Sequence, residues 1–146
     1  MQSIVSDLKT IRPFHLAFPV SNLAISLNWY TEVLGCSVGR QSNKWIDFNL
    51  YGHQIVAHLD NKINKSQTND VDGEKVPTRH FGVILTYDKW DELVQSLEKK
   101  KITFLIKPQI RFKGVKGEQK TFFIKDPDGN ALEFKAFRND SNIFEN

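Results

Sequence analysis

The sequence predicts an α+β fold of two tandem βαβββ modules, with two helices outside a curved mixed sheet that encloses a cleft. Three observations predict it. Short apolar runs bounded by turn residues alternate with two segments of helical period, the order of these elements is the same in both halves, and a polar stretch separates the halves. We expect one domain over residues 1–146, with module one at about 12–60, a loop at 60–77 and module two at about 78–137.

Module one opens with a short apolar strand, Pro13–Phe18, followed by a helix. Ser21 is a suitable N-cap, and Gly35 can adopt the left-handed conformation that ends a helix. The apolar positions that share one helical face are Leu23, Leu27, Tyr30 and Leu34. Further strands are predicted at about 36–40, 45–50 and 53–59, and Tyr51-Gly52 forms a tight turn between the last two.

The segment between the modules is polar and has no period. It contains the run Asn-Lys-Ser-Gln-Thr-Asn-Asp at 64–70, which is typical of irregular structure. The sequence therefore predicts a linker or a mobile loop over 60–77.

Module two repeats the order of module one. A strand at Arg79–Leu85 precedes a helix with Asp88 as N-cap and with Trp90, Leu93, Val94 and Leu97 on its apolar face. Its last turn carries lysines at 99–101, which suit the negative end of a helix dipole. Strands are predicted at about 102–106, 121–125 and 131–137, and the last two are joined by the turn Asp126-Pro127-Asp128-Gly129-Asn130.

Composition excludes several classes of protein. Cys36 is the only cysteine, so a metal site here needs histidine and carboxylate ligands. The formal charge is +3, but residues 99–138 hold eleven Lys or Arg and four Asp or Glu. This basic half suits either an anionic substrate or a solvated strand surface, and no nucleic-acid-binding motif accompanies it. Neither a membrane span nor a secretory leader is present, which predicts a cytoplasmic protein.

Ionisable residues occupy matching positions in the strands. The period of two places His15 with Ala17 on one face of the first strand, and His80 with Gly82 on one face of the corresponding strand. Glu133 likewise lies on the less apolar face of the last strand. Each residue alone fits a hydrogen-bonded or solvent-facing role, but the two histidines are equivalent by the repeat. Two imidazoles and a carboxylate can bind Fe, Mn, Zn or Ni and leave positions for substrate.

Four motifs resemble the vicinal oxygen chelate superfamily, which includes glyoxalase I, fosfomycin and bleomycin resistance proteins and extradiol dioxygenases. The similarity covers residues 12–137, nearly the whole chain. The matching runs are FHLA at 14–17, NWYTEVLG at 28–35, RHFGV at 79–83 and DPDGNALE at 126–133, of which the last is the most specific.

This resemblance implies that His15, His80 and Glu133 bind a divalent metal ion in a cupped mixed sheet. Superfamily members complete the cup either within one chain or across a dimer, and we expect a homodimer. Glyoxalase I has a second carboxylate in the fourth strand of the first module, whereas the corresponding position here is Val56. His58 has the same strand parity and is a candidate extra ligand or proton shuttle, or else a core or surface residue.

Without that carboxylate, a glyoxalase I reaction loses a ligand and the expected base. The sequence therefore favours an extradiol-dioxygenase-like enzyme that binds a small molecule through adjacent oxygens. Trp45 and Phe112 are candidate walls of the substrate site and Arg111 a candidate partner for a substrate anion. The alternatives are a glyoxalase or fosfomycin-resistance-type lyase or transferase with the same ligands, and a metal-free binding protein of the drug-resistance kind.

Overall fold

The two halves of the chain form two sheets with the same strand order. The computed structural model describes residues 11–62, 68–71 and 73–145. Module one contains β1 (His15–Val20), α1 (Leu23–Glu32), β2 (Ser37–Gln41), β3 (Trp45–Leu50) and β4 (His53–Leu59). A hairpin of β5 (Thr68–Val71) and β6 (Glu74–Pro77) follows. Module two contains β7 (His80–Phe81), β8 (Ile84–Leu85), α2 (Tyr87–Lys99), β9 (Ile106–Arg111), β10 (Gln119–Lys125) and β11 (Ala131–Phe137).

The strand order confirms the tandem repeat. The first sheet runs β1-β4-β3-β2 and the second runs β7-β11-β10-β9, with β8 also paired to β11. In both sheets the first strand of the module is parallel to the last. β8 is also parallel to β11, and the remaining pairs are antiparallel. The strands that carry His15 and His80 therefore lie in equivalent places at the edges of their sheets.

One face of each sheet packs against a helix. Helix α1 contacts β3 and β4, and α2 contacts β8 and β11. The buried apolar side chains of both modules form one cluster, in which Tyr30, Phe48, Phe122 and Phe134 are among the largest fully buried groups. The opposite face of the first sheet is more open, since His15, Ala17, Gln54 and His58 are all exposed there. The predicted α+β architecture with helices on one side is confirmed.

The turn between β3 and β4 has the backbone that the sequence predicted. Tyr51 and Gly52 have φ values of 49° and 88°. Two successive residues of positive φ form the two-residue turn that matches the twist of a hairpin. Strands β3, β4 and β11 accordingly have the predicted bounds.

Both predicted N-caps are wrong by one or two residues. Asn22 caps α1 by accepting from the Ile25 amide, whereas the Ser21 hydroxyl donates to the Asp128 carboxylate in the other module. Thr86 caps α2 by accepting from the Lys89 amide. Asp88 lies instead in the first turn of α2, where its charge suits the helix dipole.

Three strand predictions also need correction. β1 begins at His15 and continues through Pro19, which an edge strand tolerates because it has a side without ladder hydrogen bonds. The strand predicted at 79–85 is divided into β7 and β8, and the strand predicted at 102–106 is wrong, since β9 begins at Ile106. Phe14, which belongs to the apolar run predicted as the first strand, lies just before β1 and is 65% exposed.

The linker prediction for 60–77 is wrong for most of the described residues of that segment. β5 and β6 pair as an antiparallel hairpin, with Thr68 opposite Pro77 and Val71 opposite Glu74. Polar strands of this kind have no apolar alternation, so the sequence pattern gives no signal for them. Residues 63–67 and 72 lie outside the described part of the chain.

No helix in the described ranges is long and apolar enough to cross a membrane.

Candidate metal centre

His80 and Glu133 form the centre of the candidate site. Ala131 pairs with His80 in the parallel ladder between β11 and β7, so Glu133 projects from the same face two residues further on. The two side chains meet with 3.1 Å between His80 Nε2 and Glu133 Oε2. Strand parity, read from the sequence, therefore placed this imidazole and this carboxylate correctly on a shared face.

Neighbouring groups fix both side chains. The Nδ1 atom of His80 lies 2.7 Å from the Pro77 carbonyl oxygen, which can only accept, so Nδ1 carries a proton. The Thr121 hydroxyl donates to Glu133 Oε1 at 2.7 Å. The ring of Phe123 packs edge-on against the imidazole, with 5.1 Å between ring centroids. Both side chains of the candidate site are thus held in fixed orientations by their neighbours.

The contact between His80 and Glu133 favours the charged form of each side chain. The hydrogen bond to Glu133 raises the pKa of His80, against a lowering by burial and by the charge of Lys135. Burial works to raise the pKa of Glu133, but hydrogen bonds from His80 and Thr121 outweigh it and lower the pKa overall. The carboxylate is therefore ionised at neutral pH.

This donor set fits a divalent ion. With Nδ1 protonated, the neutral imidazole presents its lone pair on Nε2, next to a carboxylate oxygen. Two ligand atoms that each lie about 2.1 Å from a cation at right angles are about 3 Å apart. The observed 3.1 Å matches that separation. In the absence of an ion, a second proton on the imidazole satisfies the same contact.

Gly82 allows the close approach of β7 to β11. A Cβ atom at this position would lie 1.6 Å from the carbonyl oxygen of Glu133. Any other residue would therefore displace the backbone that carries the carboxylate.

His15 does not join this pair within one chain. It lies on β1 opposite Gln54 of β4, and its Nδ1 is 2.7 Å from Gln54 Oε1. In the described residues, no three His, Cys, Asp or Glu side chains group so as to hold a metal ion. One chain thus supplies two of the three predicted ligands to a common point.

The register of the first sheet shows which residue of module one is equivalent to Glu133. His15 pairs with Gln54, as His80 pairs with Ala131, so Val56 is the equivalent of Glu133. Sequence reasoning missed that Asp47 is the partner of Val56 on β3. A carboxylate therefore does lie on this face, one strand away from the position at which glyoxalase I would carry it.

Two predicted site residues share the face of His15. His58 is exposed and lies between Pro19 of β1 and Trp45 of β3 in the ladder. The guanidinium of Arg40 lies 5.5 Å from the centre of the Trp45 ring. These residues form a row at one end of the open face of the first sheet.

The other two predicted residues lie at the end of β9. Arg111 pairs with Gln119, which pairs with Phe137, so Arg111 shares the face of Glu133. The Arg111 guanidinium lies 5.2 Å from the centre of the Phe112 ring, and Phe112 is exposed with a φ of 55°. Lys135, which was not among the predicted site residues, lies on the same face of β11 as Glu133 and only two residues from it.

The turn at 126–130 connects the modules. Asp126 is buried and accepts hydrogen bonds from the Tyr30 hydroxyl, from the amides of Asp128 and Asn130, and from the Asn130 side chain. The same Asn130 side chain donates to the Pro19 carbonyl of β1. The most specific motif of the sequence thus holds β1 and α1 against the second module.

Comparison with known proteins identifies the family. The sequence model of the Glyoxalase/Bleomycin resistance protein/Dioxygenase superfamily matches residues 12–134. The chain belongs to this superfamily. The match includes β1, β7 and β11 through Glu133, and therefore all three predicted ligands.

Two solved structures of the same fold and one curated relative illustrate the range of the superfamily. The glyoxalase/bleomycin resistance protein/dioxygenase from Alicyclobacillus acidocaldarius is 32% identical with a TM-score of 0.76, over 90% of this chain and 96% of that chain. Metallothiol transferase FosB from Lysinibacillus sphaericus (strain C3-41) is 25% identical over 120 residues, which is 82% of this chain and 78% of FosB. The fosfomycin resistance protein FosX from Listeria monocytogenes shares the fold, with 15% identity and a TM-score of 0.64 over 93% of this chain and 94% of FosX.

Proposed function

We propose that this protein is a divalent-metal-dependent enzyme that transfers a nucleophile, a thiol or water, to a small anionic molecule with adjacent oxygen atoms. The observation that carries the proposal is the His80–Glu133 pair, whose ligand atoms are 3.1 Å apart and whose orientation is fixed by Pro77 and Thr121. The similarity to a protein named metallothiol transferase favours transfer over other reactions of the superfamily.

His80 Nε2 and a carboxylate oxygen of Glu133 would hold the ion. A bound divalent ion would polarise a substrate oxygen and weaken its bond to the adjoining carbon. The thiol or water would add to that carbon as the carbon–oxygen bond opens, and the released oxygen would take up the proton of the nucleophile. Thr121 keeps one carboxylate oxygen engaged, which leaves Oε2 as the oxygen beside the imidazole. Phe123 restricts the ring of His80 from the side.

Lys135 would bind the negative charge of the substrate. It lies on the face of Glu133, and its charge lowers the pKa of both Glu133 and His80, so its ammonium group is within electrostatic range of the ligands. Arg111 lies further along the same face. We propose Arg111 as a second partner for the anion and Phe112 as part of the wall beside it.

His15 of a second copy would complete the ligand set. Within the part of the chain that the structure describes, β1 and β7 each have one edge without a partner strand in their sheets. A cavity of about 310 Å³ lies between these edges, and its lining includes the exposed apolar residues Phe14 and Ile84. Exposed apolar surface of this kind is typical of a protein interface. Since His58 and Trp45 lie on the same face as His15, they would enter the site with it, His58 as a proton shuttle and Trp45 as a wall.

Metal content tests the proposal. Protein purified without added metal is assayed for bound ions and then titrated with Mn²⁺ and Zn²⁺, in parallel with Glu133→Gln, His80→Ala and the matched control His58→Ala. We expect the first two variants to lose most of the metal and the control to retain it. Retention in both ligand variants would refute the site, and a wild type that binds no metal would leave only the metal-free binding role.

Activity tests the reaction. The metal-loaded protein is incubated with a low-molecular-weight thiol and fosfomycin, and consumption of the thiol is followed. We expect thiol consumption that depends on both metal and Lys135, with a Lys135→Met variant showing a higher KM for the anion. No thiol or water addition under any metal would contradict the transfer reaction.

Oxygen chemistry on Fe(II) is the second candidate. Two histidines and one carboxylate form the ligand set of many non-haem iron oxygenases. Module one has Val56 where glyoxalase I has its second carboxylate. Oxygen uptake by the Fe(II)-loaded protein with a panel of catechols separates this candidate from transfer. Uptake without thiol consumption would favour the dioxygenase.

A further inference from the structure

Three polar side chains form a hydrogen-bonded chain across adjacent strands of the first sheet. His15 Nδ1 on β1 lies 2.7 Å from Gln54 Oε1 on β4. Gln54 Nε2 in turn donates to Asp47 Oδ2 on β3, at 3.5 Å. The chain runs over the open face of the sheet, on which all three residues project.

The chemistry of the groups gives the chain a direction. An ionised carboxylate can only accept hydrogen bonds, so the NH₂ group of Gln54 must face Asp47. The amide oxygen then faces His15 and, as an acceptor, requires a proton on Nδ1. A neutral His15 in this arrangement has its lone pair on Nε2.

In the second module, Nδ1 of the equivalent histidine also carries the proton, but its hydrogen-bond acceptor is a backbone carbonyl. His80 Nδ1 donates to the backbone carbonyl of Pro77 at 2.7 Å. Ala131, the equivalent of Gln54 in the repeat, has no side-chain acceptor. Two repeat-equivalent imidazoles therefore present the same nitrogen, one through a backbone group and one through a side chain.

We propose that Gln54, oriented by Asp47, is the positioning residue that prepares His15 Nε2 to bind the metal ion. This inference rests on the proposed function, since it takes His15 as a ligand. A hydrogen-bond acceptor that contacts the other ring nitrogen sets the tautomer and ring orientation of a metal-binding histidine. Gln54 does not touch the substrate or the ion, and its effect passes through His15.

Two variants of the full chain test this role. Gln54→Leu removes the acceptor with little change in volume, and Asp47→Asn removes the constraint on the amide orientation. Gln41→Leu, at the end of β2 in the same sheet, is the matched control because Gln41 is exposed and outside the hydrogen-bonded chain. The ring nitrogens of His15 are assigned by ¹⁵N NMR in metal-free protein, and Mn²⁺ affinity is measured by calorimetry.

We expect His15 to be protonated on Nδ1 in the metal-free wild type and to become a mixture of tautomers in Gln54→Leu. Mn²⁺ affinity should fall by about 10- to 100-fold in Gln54→Leu, less in Asp47→Asn and not at all in the control. Thermal unfolding should stay unchanged, since Gln54 is exposed.

Three other results would overturn the inference, and they distinguish its failure from the failure of the proposed function. If the wild type binds Mn²⁺ and Gln54→Leu binds it equally well, or if wild-type His15 is protonated on Nε2, Gln54 has no positioning role and the proposed function stands. If the wild type binds no divalent ion, the proposed function fails and the role of Gln54 in metal binding fails with it.

Discussion

The hydrogen bond between Tyr30 and Asp126 connects the two modules inside the core, and its removal should be costly. Tyr30 has no exposed surface and Asp126 is 4% exposed. The hydroxyl donates to Asp126 Oδ2 at 2.9 Å. Tyr30→Phe removes this donor and keeps the ring, which stacks on Phe48 with 5.0 Å between centroids.

The expected cost follows from burial and charge. A hydrogen bond to a charged group contributes about 1.5–3 kcal/mol to stability. In the variant, Asp126 still gives up its hydrating water on folding but no longer gains the hydrogen bond from Tyr30 in exchange. After the substitution only the Asn130 side chain would remain on Oδ2. We expect the free energy of unfolding to fall by about 2 kcal/mol, which at a typical urea m-value of about 2 kcal/mol/M lowers the midpoint by about 1 M.

The cost should depend on pH. Burial raises the pKa of Asp126, although its hydrogen bonds, including that from Tyr30, work to lower it. Because the folded pKa lies above the unfolded value, the folded state keeps a proton that the unfolded chain has released, so Asp126 favours folding more as pH falls through this window. Loss of Tyr30 raises the pKa further. The free energies of unfolding of variant and wild type should therefore differ by less as pH falls. In acid, where the Asp126 carboxyl is neutral in both proteins, the difference should approach about 1 kcal/mol.

Urea unfolding followed by fluorescence at neutral and acidic pH measures both effects. Tyr51→Phe is the control, because it removes a hydroxyl from a side chain that is 42% exposed. A Tyr30→Phe midpoint within about 0.2 M of the wild type would refute the reasoning, as would a difference that widens in acid.

Two substitutions and one labelling experiment test other parts of the structure. Thr121→Val should weaken metal binding by about 10- to 100-fold without unfolding the protein, because it removes the donor that holds Glu133; unchanged affinity in a metal titration would show that the hydroxyl is dispensable. Gly82→Ala should lower the melting temperature by at least about 3 °C and reduce metal content, since the new methyl group meets the backbone of Glu133; a normal melting curve would contradict the close packing. Cys36 should resist a thiol reagent at pH 8 and react at once in urea, because burial raises the pKa of its thiol to about 12; rapid labelling of the native protein would show that the site opens.

Much of the fold could be predicted because apolar alternation and turn residues agree. β4 and β11 have the predicted bounds, since each is a half-apolar run that begins directly after a glycine-containing turn. The strand predicted at 102–106 failed for a different reason. Ile102 and Phe104 pack against the core from the connection after α2, so the same apolar spacing serves a segment without ladder partners until Ile106.

The helix N-caps show a second limit. Ser21 has the right chemistry for a cap, but its hydroxyl is bound by Asp128, which lies 107 residues away in the sequence. Propensity alone does not indicate which of two neighbouring polar residues a distant element will bind. Asn22 therefore caps the helix instead.

The sequence predicted those features of the candidate site that depend on the alternation of side chains within a single strand. Parity within β7 and β11 placed His80 and Glu133 on a common face. Asp47 and Gln54 were missed because their contacts depend on the register between strands, which parity does not give. Under the proposed function His15 joins the site from a second copy, and no pattern in the sequence of one chain indicates that assembly.

Complementation between two inactive variants tests most directly whether the site combines His80 and Glu133 of one chain with His15 of another. His15→Ala and Glu133→Ala are co-expressed with different tags, the mixed dimer is isolated through both tags, and its metal content is compared with that of each variant alone. A site shared between copies predicts almost no metal in either homodimer and one intact site in the mixed dimer, half of the wild-type content. A mixed dimer as empty as its parents, beside a wild type that binds metal, would contradict the shared site.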